Sequence, residues 1–292
     1  MILTMQLAIY LVVFAGVMVI LPSIRIIGPT EVGLVTKRYS MKKLREDNPI
    51  AFNGEPGYQA ELLMPGWRFR LWLLYTVEKH PWVQVPAGKI GVVVSQIGQP
   101  LPTGSKSGIY KPSFGNYSNI QTFLRDGGQK GVQRPVLPPG TLAPIHPAAF
   151  LVITEDRVYG VPISPELEAM ARKFGGRLVP QCFGLRPEQL RVVRIEPQRR
   201  PDSGHTVDMI GIVTAYEGDP LPPSDIASRL FGFSDIEEME KNTGTTDHML
   251  IEAILGSKNN KHNNYQDFQL FLDNGGRIGL QHDPLLYGAY NL

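Results

Sequence analysis

Cysteine is all but missing from this chain of 292 residues: Cys182 stands alone, which excludes a disulfide framework and a cysteine-built zinc site. Charge of one sign is missing too. Lys and Arg number 29 against 27 Asp and Glu, a net of +2; this argues against a nucleic-acid partner, whose binding surface would gather a basic excess on one face. No sustained heptad run occurs, so no coiled coil is expected. The six histidines, His80, His146, His205, His248, His262 and His282, show no His-Glu-x-x-His pattern and no acidic partner at ligand spacing, and they read as surface or turn residues. Gly104-Ser105-Lys106-Ser107 lacks the register of a phosphate loop and reads as a solvated hairpin tip. Asp202, Ser203 and His205 have the residue types of nucleophilic catalysis, but they lie in a polar turn without a Gly-x-Ser-x-Gly elbow. Arg191, Arg194, Arg199 and Arg200, with Glu188 and Glu196 among them, read as a solvated, salt-paired face. No catalytic residue, cofactor or metal is expected.

What the chain does have is a motif written three times. Gly57-Tyr58-Gln59 leads to Leu63-Met64-Pro65-Gly66, Gly131-Val132-Gln133 leads to Leu137-Pro138-Pro139-Gly140, and Gly279-Leu280-Gln281 leads to Leu285-Leu286-Tyr287-Gly288. Residues 116–142 lie over 264–290 without a gap, at an offset of 148, and share Asn, Tyr, Gln, Phe and Leu positions besides the glycines. An opening block precedes each copy: Ile90-Gly91-Val92-Val93 before Gly98 and Pro100-Leu101-Pro102, and Ile210-Gly211-Ile212-Val213 before Gly218 and Pro220-Leu221-Pro222, at an offset of 120. The third copy therefore has a connection longer by 28 residues (148 − 120). In the first copy Val32-Gly33-Leu34-Val35 stands for the opening block. Repeats of this kind set the architecture before any site can be argued.

The glycines have conformational readings. After Phe123-Leu124-Arg125-Asp126, Gly127 and Gly128 fall where a helix ends in a left-handed cap; Gly275 and Gly276 repeat them. In Pro65-Gly66 and Pro139-Gly140 proline presets φ at the first central position of a tight turn and glycine takes the second, while Tyr287-Gly288 keeps only the glycine. Turn chemistry accounts for these residues.

The N-terminus is the second strong feature. Residues 7–21 are apolar apart from the phenol of Tyr10, and the run reaches Ile27 with only Pro22, Ser23 and Arg25 interrupting. That length predicts a transmembrane anchor over residues 1–27, carried by Leu7, Leu11, Val12, Phe14, Val17, Ile20 and Leu21. No basic residue precedes the run and no Ala-x-Ala site follows it, which speaks against a cleaved signal peptide. Arg25, Lys37, Arg38, Lys42, Lys43 and Arg45 follow it, so the bulk of the chain is expected in the cytoplasm, beside a lipid bilayer.

Beyond residue 27 the pattern is mostly β, an α+β class. Strands are predicted over 31–37, 67–79, 89–97, 149–155, 189–196 and 206–216, with short helices over 119–126, 165–174, 235–241 and 266–273. This organises the chain as a degenerate β-rich module over 28–86, a second module with a helical extension over 87–203 and a third over 204–292.

The series Val85-Pro86-Ala87-Gly88-Lys89-Ile90-Gly91-Val92-Val93, Gly98, Pro100-Leu101, Leu137-Pro138-Pro139-Gly140, then Pro144 and Pro147 before Phe150, resembles the opening half of the band 7 (SPFH) domain of stomatins, prohibitins and flotillins. The array of similar modules is also similar to the repeat arm of the major vault protein. The resemblance implies a membrane-anchored, flotillin-like scaffold without catalysis of its own. Such a scaffold would form homo-oligomers that organise a microdomain or enclose a membrane protein such as a protease. The chain departs from that family in lacking the coiled coil. Its third copy stops where the second continues into the strand around Phe150, so the chain is expected to be an N-terminal fragment of a longer protein. The alternative reading is a membrane-anchored hydrolase whose site converges from distant residues such as Asp202, His205 and a serine elsewhere.

Overall fold

β-Branched and aromatic residues set between glycine and proline turns make short strands. In the computed structural model, which describes residues 2–44, 48–223, 225–230, 237, 241 and 259–292, those strands are grouped by the sequence repeat. Helix α1 (Ile2–Ser23) leads into β1 (Ile24–Ile27), β2 (Glu31–Lys37), β3 (Ile50–Ala51), β4 (Gly57–Gln59), β5 (Gly66–Phe69) and β6 (Tyr75–Pro81). Then come β7 (Val83–Gln84), β8 (Val92–Ser95), helix α2 (Ile120–Arg125), β9 (Gly131–Val132), β10 (Leu142–Ala143), β11 (Phe150–Ile153), β12 (Val158–Tyr159) and helix α3 (Pro165–Lys173). The last part holds β13 (Val193–Ile195), β14 (Gln198–Arg199), β15 (Thr206–Val207), β16 (Thr214–Ala215), the short helices α4 (Asn259–His262) and α5 (Phe268–Asp273), β17 (Gly279–Leu280) and β18 (Gly288–Tyr290).

The same pairing recurs in each copy. Gly33 exchanges backbone hydrogen bonds with Leu63 (2.8 and 3.0 Å), Gly91 with Leu137 (3.0 and 2.7 Å) and Gly211 with Leu285 (2.8 and 2.9 Å). Side chains crowd the glycine: a Cβ on Gly91 would lie 3.1 Å from Val85 Cγ2 and 3.3 Å from the Cβ of Leu137, and one on Gly211 would lie 2.4 Å from Ile195 Cδ1 and 3.2 Å from the Cβ of Leu285. Outside each bridge a further pair closes the module, β1 with β5, β7 with β10 and β13 with β18.

The Gly-x-Gln element has one geometry in all three places. Gly57, Gly131 and Gly279 sit at φ of 101°, 101° and 106°. This turn lets the glutamine two residues on fold back, so that the side-chain amide of Gln59 donates to the carbonyls of Gly57 and Glu55. Gln133 does the same to Gly131 and Gln129, and Gln281 to Gly279 and Arg277, all at 2.8 to 2.9 Å. The helix ends also match. Asn119 and Asp267 cap α2 and α5 by accepting from Thr122 N and Leu270 N. Gly128 N reaches Phe123 O and Gly276 N reaches Phe271 O, at 2.7 and 2.9 Å, the six-to-one bond of a Schellman stop.

The cores divide the chain. Leu34 and Ile50 of the first module bury into one cluster with Phe114, Tyr117, Phe123 and Phe150 of the second, whereas Ala215, Tyr265, Phe271, Leu285 and Tyr290 of the third make a separate core that Ile195, ahead of residue 204, joins through the β13–β18 pair. Modules one and two are thus a fused pair, and module three packs for itself.

Several expectations are corrected. Among the described residues no helix is long and apolar enough to cross a membrane; in α1 the side chains are described at 6, 10, 11 and 13–23. The anchor expected over 1–27 with Leu7, Leu11, Val12, Phe14, Val17, Ile20 and Leu21, and the single-pass membrane placement drawn from it, are overturned by that finding. The helix stops earlier than the apolar run, because Pro22 lies in its last turn and Ile24 to Ile27 are claimed by pairing with β5. Ser23 makes the corner: its hydroxyl donates to Val19 O (2.6 Å) and accepts from Trp72 N (3.2 Å). The strand predicted over 67–79 is two strands, broken where Leu74 N and Tyr75 N turn back to Leu71 O, and the one over 206–216 is likewise split into β15 and β16. The helix predicted over 235–241, residues 237 and 241 apart, lies outside the described residues, as do His248 and most of the longer connection of the third copy.

Candidate functional site

The polar chemistry of the chain gathers at the seams between modules. Between modules one and two stands His146, 1% exposed, on the loop that leads from β10 to β11. Its Nδ1 accepts from the backbone of Ala148 (3.2 Å) and Ala149 (3.1 Å), so Nε2 bears the proton and donates to the carbonyl of Gln59 in module one (3.0 Å). Burial pushes its pKa down to about 4, with the bond to Gln59 opposing and His80 adding to the depression. His146 is therefore a neutral bridge. The sequence reads both it and His262 as surface or turn residues; His146 does head a turn, its carbonyl accepting from Ala149 N and Phe150 N, but both are buried, His262 at 3% exposed and stacked on Tyr265 at 4.1 Å. Only the covering residues, not the histidines themselves, distinguish these from the exposed His205.

Between modules two and three lies a charged clamp. Arg134, nine-tenths buried, meets Glu217, equally buried, at 3.4 Å. Glu217 also accepts from the hydroxyl of Ser107 and from Lys106 N (3.2 Å). Gln269 of α5 accepts from Arg134 Nη1 (2.7 Å) and from Tyr110 N (3.1 Å). The turn at Gly104-Ser105-Lys106-Ser107, expected as a solvated hairpin tip, is in fact half of this clamp. The ion pair is held by several hydrogen bonds on each side, which is what a charge needs to stay buried. Gln269→Ala removes an acceptor from a charged donor and from a backbone N–H; it is expected to cost about 1 to 3 kcal/mol and to speed hydrogen exchange in α5 and β17 while leaving β8 and β11 protected. Exchange by mass spectrometry checks this.

A third cluster lies within module two and ties its helical extension back to β8 and β11. Glu155 lies between Lys89 (3.0 Å) and Arg191, whose Nε donates to it at 2.8 Å, and Asp156 takes the other side of Lys89 at 2.8 Å. The Arg191 and Lys89 hydrogen bonds hold the Glu155 carboxyl below the usual carboxylate range. Two cations and two anions leave the cluster neutral. Arg191 thus pairs with Glu155, 36 residues away, while of the local carboxylates the sequence suggested Glu188 acts on it only through its charge and Glu196 pairs with Arg194 at 3.9 Å.

The residues with catalytic chemistry are not brought together. Asp202, Ser203 and His205 lie exposed in the turn between β14 and β15, where Arg200 N bonds to His205 O. Among the described residues no serine hydroxyl meets the His205 ring. A cavity of about 560 Å³ lies beside β12, lined by His80, Phe150, Arg157, Tyr159 and Arg177. It has no Ser, Thr, Cys, Asp or Glu in its wall, and its Tyr159 hydroxyl is engaged by Gln84 O at 3.0 Å. Among the described residues no group of three or more His, Cys, Asp or Glu is placed to hold a metal. No protein-family model, no curated protein and no solved structure matches the chain.

Proposed function

We propose that the chain is an assembly scaffold, a series of modules of one design whose seams and strand edges bind protein surfaces and turn over no substrate. The observation that carries this reading is the unit itself: one Gly–Leu bridge with one glutamine clamp, built three times in a single chain. Repetition of a unit extends a surface and multiplies edges, and neighbouring units stabilise one another through their interfaces. The seams at His146 and at Arg134–Glu217 are two interfaces of that kind within one chain. The likeness of residues 85–150 to the opening half of a band 7 domain supports the same reading, and with it a homo-oligomer.

Self-association has edges available to it. The β1–β5, β13–β18 and β16–β17 pairs are two-stranded, so each leaves backbone groups open to a further strand. On β5, Trp67 and Phe69 are 74% and 55% exposed. The test is sedimentation velocity of the full chain from about 1 to 100 µM, because assembly follows mass action. Species heavier than a monomer are expected to grow with concentration and to recede in the Trp67→Lys, Phe69→Lys double variant. A monomer across the whole range would sink the proposal.

A further inference from the structure

The cavity of about 560 Å³ is enclosed by the end of β6, the β11–β12 hairpin and the chain that leaves α3. Val83, Ile145 and Phe150, all buried, give it an apolar surface. The chain after α3 turns at Gly176, whose N–H reaches Ala171 O at 2.8 Å, and then buries Leu178 against Leu151 and Ala171. Arg177, between those two fixed points, is thereby carried into the cavity wall. Arg157 is set by the hairpin, where its carbonyl accepts from both the N–H and the hydroxyl of Thr154 at 2.9 Å.

The charge on this wall has one sign. Arg157 and Arg177 line the cavity, and no carboxylate does. Among the described residues neither arginine has an ion-pair partner. The two acids beside Arg157 in the sequence are engaged elsewhere, Glu155 by Lys89 (3.0 Å) and Arg191, and Asp156 by Lys89 (2.8 Å). Arg157 lies over the Tyr159 ring, 4.8 Å from its centroid, a contact with the ring face that leaves its N–H donors for an anion. His80 completes the polar part of the wall; burial holds its pKa down, and Glu78, which is not part of the wall, stands 3.7 Å from its Nε2. An apolar hollow of this size with a few placed polar groups is the common form of a small-ligand site.

We propose that this cavity binds a small amphiphilic anion, with a carboxylate or phosphate head at Arg157 and Arg177 and an apolar body against Val83, Ile145 and Phe150. The planar guanidinium fork matches either head in two-point contact. Both arginines are exposed, and exposed ion pairs are weak. Charge therefore selects the ligand, and burial of its apolar body holds it. The site goes beyond the scaffold reading and does not depend on it: the ligand would tie β6 to the hairpin and to the helical extension within one chain, whether or not chains associate.

The probes are octanoate and octyl phosphate, with octanol as the body without the charge and acetate as the head without the body, each titrated into the full chain by calorimetry. At least one of the two octyl anions is expected to bind saturably, and at least about tenfold more tightly than octanol or acetate; the tighter of the two identifies the head. At saturation hydrogen exchange is expected to slow over 157–160 and 176–178 and to stay unchanged over 2–23, where other apolar side chains lie exposed. The double variant Arg157→Gln, Arg177→Gln is expected to bind the anion about tenfold more weakly and octanol as before. Unchanged exchange over 150–153 shows that this variant keeps its fold. Arg172→Gln, which removes the α3 arginine paired with Glu168 at 3.6 Å, is expected to change neither affinity. No saturable binding of either octyl anion, octanol or acetate bound as tightly, protection over 2–23 in place of the cavity, or undiminished anion binding by the double variant would each overturn the proposal.

Discussion

Alanine at Gly128 is expected to destabilise the fused pair of modules one and two by about 2 to 4 kcal/mol, and alanine at Gly276 to do the same to module three. A Cβ at Gly128 would stand 2.4 to 2.5 Å from the ring of Phe123, and one at Gly276 would stand 2.4 to 2.6 Å from that of Phe271. Neither ring can withdraw. Phe123 is wholly buried against Phe114 (4.8 Å) and Phe150 (5.0 Å), and Phe271 is wholly buried with Phe268 and Tyr265 upon it. The neighbouring glycines make the control. Gly127 and Gly275, at φ of 82° and 80°, have open space where a Cβ would go, so alanine there costs only the left-handed backbone, about 1 kcal/mol. Urea denaturation gives the order of the four variants, and hydrogen exchange locates the loss. Gly276→Ala is expected to loosen α5 and β17 and to leave α2 and β8 protected, because the third module has its own core. Loss of protection throughout the chain in that variant would show instead that the modules unfold as one.

Acidification is expected to weaken the seam between modules one and two before any carboxylate is involved. The folded pKa of His146 is depressed, so the unfolded chain binds the extra proton more readily. The stabilisation is fully present above the ordinary histidine pKa of 6.5 and is lost as pH falls toward about 4. The interval corresponds to roughly 3 kcal/mol at 1.36 kcal/mol per unit. His80, depressed by its own burial, adds in the same direction. The carboxyls of Glu155 and Asp126, held low by their hydrogen bonds, keep their contribution above the ordinary carboxylate range and lose it as pH falls through that range toward their depressed values. His146→Asn keeps an acceptor for the backbone of Ala148 and Ala149 and cannot take up a proton. Its stability is expected to be lower at pH 7, for want of the bond to Gln59, and to vary much less between pH 7 and 4. Equal pH dependence in the two proteins, measured by urea denaturation across that range, would remove His146 from the account.

The amino-acid sequence by itself determined the unit and its number. A glycine that must sit at positive φ, a glutamine that must reach back to carbonyls two and four residues before it, and a glycine that must leave space for crowding side chains are short-range demands. Each is met by one residue type, so the repeat of Gly57, Gly131 and Gly279 with Gln59, Gln133 and Gln281 was legible in the letters. The short helices over 119–126 and 266–273 were legible too, and the structure finds them as six-residue helices capped by Asn119 and Asp267. Tertiary structure decided what the units do to one another. The end of α1 follows from β5 pairing with Ile24 to Ile27 across some forty intervening residues, and an apolar run reads alike as helix or as strand until its partner is known. The burial of His146, the meeting of Arg134 with Glu217 and the pairing of Glu155 with Arg191 depend on which surfaces close over them, and composition does not encode that. The cover of β8 is the clearest case: Phe150 to Ile153 of β11 close it by antiparallel pairing, and the letters of a strand do not name its partner.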